Sequence, residues 1–170
     1  MDKMIMEQLI FHPQTTVSDK ILKTFQKDAG WPKAIQLRNA KQNPKGKTSL
    51  AAVELQKNII GIARLELAAP EFCFISDMVI LSPYRGKGIG RWFVKQIEAH
   101  CNIFHIKRLI LQSNPTNLQF YQLLGFKPDP RVLTFLTKEI NQYASAFQNA
   151  DAATILLGNK IDNNIWHHHI

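Results

Sequence analysis

Residues 82–91 read Ser82-Pro83-Tyr84-Arg85-Gly86-Lys87-Gly88-Ile89-Gly90-Arg91. They follow a nearly continuous apolar run over 72–81, Phe-Cys-Phe-Ile-Ser-Asp-Met-Val-Ile-Leu. Such a run suits a strand buried on both faces. They precede Ile89, Phe93 and Ile97 on one stripe, with Trp92 and Ala99 beside it, which is the spacing of an amphipathic helix. A strand therefore enters glycines and leaves directly as a helix. Glycine admits positive φ and lets backbone approach a ligand closely. The first amides of a helix have no intrahelical acceptor and face outward, and the positive end of the helix dipole lies with them. The junction is thus an anion site that suits a pyrophosphate, with Arg85, Lys87 and Arg91 adding charge around it. It is not a Walker A loop, which needs a Gly-Lys-Ser/Thr ending and four residues between its glycines. Nor is it the dinucleotide fingerprint G-x-G-x-x-G. The third glycine comes one place early, and no acidic residue about 20 positions on leads into a second strand–helix–strand unit.

Downstream of this junction, Arg108–Gln112 reads as a short buried strand. Asn114 then stands as a helix N-cap with Pro115 in the first turn. Leu118, Tyr121 and Leu124 share a face, and Gly125 closes the helix. Phe126 and Arg131–Thr137 resume extended structure around Pro128 and Pro130. Upstream, residues 4–11 are apolar and β-prone, a first strand ended by His12-Pro13. Ser18 caps a helix with apolar positions Ile21, Leu22, Phe25 and Ala29, stopped by Gly30 and Pro32. Residues 39–47 form a basic loop, read as a solvated face. Two strand-like runs, Thr48–Gln56 and Ile59–Leu67, are joined at Lys57-Asn58 as a hairpin. Ala68-Ala69-Pro70 breaks the second of them. The order strand, helix, strands, helix, strand, helix, strand predicts an α/β layered domain. After it, Ile140, Tyr143, Ala144 and Phe147 fit one more amphipathic helix.

The glycine junction and the Asn114 segment together resemble the GNAT family, the GCN5-related N-acetyltransferases. One family motif reads R/Q-x-x-G-x-G/A after a strand with an apolar residue five places before the Arg. Arg85, Gly88 and Gly90 match it, with Ile80 in the apolar slot. The second reads N-x-x-A-x-x-F-Y-x-x-x-G-F. Here it is met by Asn114, Phe120, Tyr121, Gly125 and Phe126, with Asn117 standing where the family has a small Ala. The resemblance is firm over about 72–137 and extends to residue 4. It implies a mixed, mostly antiparallel central sheet flanked by helices, over a domain of residues 1–138. Residues 139–170 then form a C-terminal extension, a helix plus tail packed on the domain or at a dimer interface.

The resemblance also implies acetyl-CoA as cofactor and acetyl transfer to a primary amine of a small molecule or protein, by direct attack through a tetrahedral intermediate. The backbone of Met78, Val79 and Ile80 would bind the pantetheine arm and the thioester carbonyl, stabilising an oxyanion. Residues 86–91 (Gly86, Lys87, Gly88, Ile89, Gly90 and Arg91), beside Arg85, would cradle the pyrophosphate. Asn114, with Asn117, would sit near the thiol end. Tyr121 would protonate the leaving thiolate. A phenol of pKa near ~10 holds its proton at neutral pH and can give it to a departing sulfur. The base is open. Where several family members carry a Glu, nine residues before the motif Arg, this chain has Ser76. A water relayed through Ser76 or a backbone carbonyl is preferred, with Glu66 and Asp77 as alternatives. Strand alternation turns Asp77 to the face opposite Ser76, unless a bulge intervenes. The face of Ser76 would carry Phe72, Phe74 and Met78, an apolar acceptor pocket suited to an arylalkyl amine or to a lysine with a hydrophobic neighbour.

Composition sets the outer bounds. The chain has 170 residues, 45% of them hydrophobic and 20% charged, which is a globular composition and not a disordered one. Two cysteines, Cys73 and Cys101, cannot staple this length and are read as reduced. No window reaches the ~18 apolar residues of a membrane span, and the first residues lack a signal peptide's apolar stretch, so a cytoplasmic protein without a membrane partner is expected. Neither the His100–His105 pair at a helix end nor the final His167-His168-His169 run marks a dedicated metal site. Lys and Arg number 21 against 13 Asp and Glu, a net charge of +8. Two alternatives stay open, the first of them from that excess. One is an acetyltransferase acting on aminoacyl-tRNA, with nucleic acid as partner. The other is a non-catalytic acyl-CoA-binding sensor, favoured by Ser76 in place of Glu.

Overall fold

The computed structural model describes residues 3–31, 48–129 and 135–140. The basic loop at 39–47, residues 131–134 of the expected extended run Arg131–Thr137, and the expected helix beyond Ile140 lie outside the described residues. So does the histidine run. All described residues belong to one compact unit, Met1–Ile140.

Seven strands form one sheet in the order β1-β2-β3-β4-β5-β7-β6. They are β1 (Leu9–His12), β2 (Thr48–Leu55), β3 (Asn58–Ala68), β4 (Phe72–Ile80), β5 (Arg108–Gln112), β6 (Lys127–Pro128) and β7 (Phe135–Glu139). Every neighbouring pair is antiparallel except β4–β5, which is parallel and needs the crossover helix between them. The helices are α1 (Lys3–Met6), α2 (Asp19–Asp28), α3 (Ile89–Ile103) and α4 (Leu118–Gln122). The expected mixed, mostly antiparallel sheet with flanking helices is therefore observed.

Three boundaries differ from the sequence expectation, each for a local reason. The first strand begins at Leu9, not near residue 4, because residues 3–6 wind into a single helical turn closed by Gln8 N–H to the Ile5 carbonyl at 3.2 Å. The β2–β3 turn is Gln56-Lys57, one residue earlier than read. Both have positive φ, 49° and 65°, the shape of a type I′ turn. Asn58 contributes from outside the turn, its side-chain amide donating to the Gln56 carbonyl at 3.0 Å. The Asn114 helix comes in two pieces, a 3-10 turn over Pro115–Asn117 and then α4.

The sheet separates two apolar layers. On one face α3 buries Ile89, Phe93, Val94, Ile97 and Cys101 against Ala51, Val53, Ala63, Leu65, Cys73 and Ile75. On the other, α2 buries Leu22 and Phe25 against Leu50, Ala52, Ile62 and Val79. Phe25 and Phe93 are wholly buried, each worth ~1.5–3 kcal/mol of transfer free energy. Ser18 caps α2 as read, its Oγ accepting from Ile21 N–H at 3.4 Å. Ile140, just past β7, is buried in the α3 layer, and its N–H donates to the Lys107 carbonyl at 2.8 Å.

Candidate active site

The site is built on β4. Its parallel ladder with β5 ends at Ile75–Leu111. From Ser76 to Ile80, no described strand pairs with β4 on that side, while β3 continues along the other. The reason is a bulge. Arg64 pairs with Ser76, but Ile62 pairs with Val79, so Asp77 and Met78 together stand opposite Ala63. Asp77 takes a φ of 51° to make the step. The extra residue inverts the alternation. Before it, odd residues Cys73 and Ile75 enter the α3 layer; after it, even residues Met78 and Ile80 do. Met78 therefore does not share the face of Phe72, Phe74 and Ser76, as simple alternation had suggested. It lies on the side of Tyr121.

The three candidates for the base are now placed. Ser76 is half-buried, paired across the ladder with Arg64. Asp77 is held by that same arginine, Oδ2 accepting from Arg64 Nε at 2.8 Å. Glu66 is exposed, opposite Phe74. On the Ser76 face, Phe74 leans on Phe135 of β7 with ring centroids 5.8 Å apart. Phe72, Phe74 and Phe135 are all half-buried.

At the end of β4, Ser82–Tyr84 form a 3-10 turn, and α3 starts at Ile89. Gly86 and Gly88 have φ of 74° and 82°, a region that only glycine enters freely. A Cβ built on Gly86 would meet no protein atom within 4 Å, so the space above the loop is open. The first bond of α3 runs from Trp92 N–H to the Gly88 carbonyl at 3.0 Å. The amides of Ile89, Gly90 and Arg91 precede it, with no helical carbonyl to reach. Lys87 and Arg91 are exposed beside them, and Lys87 Nζ lies 5.8 Å from the Tyr84 ring centre. This arrangement fits a pyrophosphate. Gly90 answers to packing: its Cβ would stand 3.3 Å from Phe120 Cζ. Arg85 is engaged within the protein. Its Nε donates to the Ile80 carbonyl at 2.7 Å, and its Nη2 donates to Asp28 Oδ2.

Tyr121 projects from α4 into the open side of β4. It is 8% exposed, and its hydroxyl lies 3.8 Å from Met78 Sδ. Its ring meets Phe120 and Phe126 edge to face. Burial pushes the phenol pKa up. Asn114 and Asn117 are exposed at the 3-10 turn that precedes α4. The Asn114 side chain makes no capping bond; its carbonyl accepts from Asn117 N–H at 2.9 Å instead.

Sequence reasoning missed Asp28 and Arg64. A signal existed for each: an acidic residue at the end of a helix, where the dipole disfavours it, and a charge in the mostly apolar run Ile59–Leu65. It also saw in His100 only one of a pair of histidines at a helix end. His100 instead packs between Phe11 and Phe104, and burial lowers its pKa to about 4. Cys73 and Cys101 are free and buried. A hydrogen bond to Cys73, together with burial, pushes the Cys101 thiol pKa up, which is the opposite of what a nucleophile needs. Among the described residues, no group of His, Cys, Asp and Glu is arranged to hold a metal, and no helix is long and apolar enough to cross a membrane.

Comparison with known proteins agrees with this geometry. Among curated proteins, the chain is similar to an uncharacterised N-acetyltransferase, ycf52, of Gracilaria tenuistipitata var. liui. The two are 32% identical over 75 residues, which is 44% of this chain and 41% of that relative's length. Among solved structures, it is similar to a GNAT family acetyltransferase from Elizabethkingia anophelis with acetyl-CoA bound. That match has a TM-score of 0.60 and 16% identity, covering 78% of this chain and 99% of that one. Tetrahymena GCN5 superposes with a TM-score of 0.62 at 14% identity, over 73% of this chain and 89% of its own. The ribosomal-protein-S18-alanine N-acetyltransferase of Escherichia coli matches at 0.57 and 13%, over 78% and 94%. At these identities the structures speak for the fold. The family itself is given by a sequence model, Acetyltransferase (GNAT) family, that matches residues 16–126. With that match over most of its length, the chain belongs to the acetyltransferase (GNAT) family.

Proposed function

We propose that the protein transfers the acetyl group of acetyl-CoA to the nitrogen of a primary amine. One observation carries this reading. The open side of β4 runs directly into the glycine loop, and α4 brings the Tyr121 hydroxyl to 3.8 Å from Met78 Sδ on that same strand, so one extended thioester can touch all three. Acetyl-CoA supplies the activated acyl group. Residues 86–91 take the pyrophosphate through first-turn amides, with Lys87 and Arg91 balancing its charge. Backbone groups of Met78, Val79 and Ile80 hold the pantetheine arm and the thioester carbonyl oxygen. Asn114 and Asn117 border the thiol end. Tyr121 keeps its proton at neutral pH because burial disfavours the phenolate, and it donates that proton to the departing sulfur. The amine loses its proton to a water relayed through Ser76. Asp77 is less suited, since Arg64 holds its carboxylate, and Glu66 stands further out in solvent. The half-buried rings of Phe72, Phe74 and Phe135 favour an acceptor with an aryl or alkyl group, either a small amine or a lysine with a hydrophobic neighbour.

The test is thiol release from acetyl-CoA with a panel of amines. Release well above hydrolysis is expected for at least one of them. Tight CoA binding without any such release would favour an acyl-CoA sensor. Tyr121→Phe should lower kcat about a hundredfold or more and leave CoA affinity within about twofold. Unchanged turnover would remove Tyr121 from the proton-transfer role.

A further inference from the structure

We propose that Asp28 is a positioning residue for the cofactor loop, acting through Ser82 and Arg85. This rests on the acetyl-CoA reading above. The 3-10 turn at Ser82–Tyr84 begins after Leu81, whose side chain cannot cap it. The Ser82 N–H is therefore an orphan donor. Asp28 fills the role from another element: its Oδ1 and Oδ2 stand 3.1 and 3.2 Å from Ser82 N. The same carboxylate accepts from Arg85 Nη2, while Arg85 Nε donates to the Ile80 carbonyl at 2.7 Å. The planar guanidinium thus bridges the end of β4 to the end of α2. Both ends of the turn are fixed by one acid.

The position of Asp28 points to a purpose. It is the last residue of α2, where the helix dipole disfavours a negative charge. Its side chain is only 17% exposed. A residue that breaks a local rule and is then buried in a specific contact marks a site where something else is gained. Here the gain is loop order. Gly86 and Gly88 follow Arg85 directly, and glycine has the most backbone freedom to lose on binding. Anchoring Ser82 and Arg85 removes part of that freedom before CoA arrives, which raises affinity by preorganisation. It also reassigns a charge. The Arg85 guanidinium is neutralised by Asp28, so Lys87 and Arg91 are the cations left to the phosphates.

The experiment compares wild type, Asp28→Asn, Asp28→Glu and Arg85→Gln. Three readouts are taken: CoA affinity by calorimetry, the KM values and kcat, and amide hydrogen exchange of the apo protein. Asp28→Asn should weaken CoA binding about tenfold and raise the acetyl-CoA KM in step. The kcat and the amine KM should stay within about twofold. Exchange should accelerate over residues 82–90 and not in α3 beyond its first turn. Arg85→Gln should give the same pattern, and the Asp28→Asn/Arg85→Gln double variant should be no worse than either single one. Asp28→Glu, which keeps the carboxylate, should recover part of the affinity. If Asp28→Asn does not fold, Asp28→Glu and Arg85→Gln carry the comparison. Equal CoA affinity in the wild type and the variants overturns the proposal alone. So does exchange that accelerates throughout the chain. A wild type that binds no CoA overturns the acetyl-CoA reading, and the proposal with it.

Discussion

Tyr121 and His100 are both buried ring groups that titrate, and burial moves them in opposite directions. For the phenol, desolvation disfavours the anion, so its pKa rises above the ordinary value near ~10. Difference ultraviolet titration of wild type against Tyr121→Phe should show a phenolate forming only above about pH 10. A transition at or below that value would mean that water reaches the hydroxyl. For His100, desolvation disfavours the cation, and the pKa falls from 6.5 to about 4. The unfolded chain therefore binds a proton near 6.5 that the folded chain refuses until about 4. The stability that His100 contributes is fully present above 6.5 and is lost as pH falls through that window. Thermal midpoints of wild type should drop more between pH 7 and pH 4 than those of His100→Phe, which keeps an aromatic ring beside Phe11 and Phe104. Parallel curves would assign the acid sensitivity to carboxylates instead.

At the scale of elements, the bulge in β4 decides what the sheet can do. Deleting Asp77 would bring Met78 opposite Ala63 and keep Val79 opposite Ile62, a regular ladder with β3. It would also leave Cys73, Ile75, Met78 and Ile80 on the α3 face. The core is thus preserved on paper while the step that opens β4 disappears. The expected outcome is a folded protein, with its circular dichroism retained, that has lost at least about tenfold in CoA affinity. Retained affinity would mean that β5 simply ends too soon to close the edge. The bulge also marks the limit of what the chain reveals before it folds. Ser18, the stripe Ile89, Phe93 and Ile97, and the glycine loop were legible because each depends on neighbours within a few residues. Met78 was misplaced because its facing depends on the count of residues opposite Ala63 on another strand. Asp28 and Arg64 were missed for the same reason. Their partners Arg85 and Asp77 are far along the chain, and no period or spacing encodes such a pair.

For the whole molecule, the excess charge of +8 still needs an account. Described ion pairs do not reduce it, because Arg64–Asp77, Arg85–Asp28, Lys107–Glu71 and Lys138–Glu98 each take one charge of either sign. A field of that sign draws anions to the surface and concentrates them where cations cluster. Lys87 and Arg91 are exposed at the glycine loop, so CoA should feel both the field and the local pair. Raising salt from about 0.1 M to about 1 M shortens the screening length from ~10 Å to ~3 Å. CoA binding should then weaken several-fold. The Lys87→Ala/Arg91→Ala variant should start weaker and respond less, because its remaining attraction comes from backbone amides at short range. A nucleic-acid role predicts another pattern. RNA affinity would fall steeply with salt, with a slope set by the number of phosphates contacted, and would survive the double substitution, since other exposed lysines such as Lys57, Lys95 and Lys127 would carry it. Salt titrations of CoA and of a non-specific RNA on the same two proteins therefore separate the readings. A CoA affinity that does not change with salt, beside a steep RNA response, would assign the basic surface to nucleic acid.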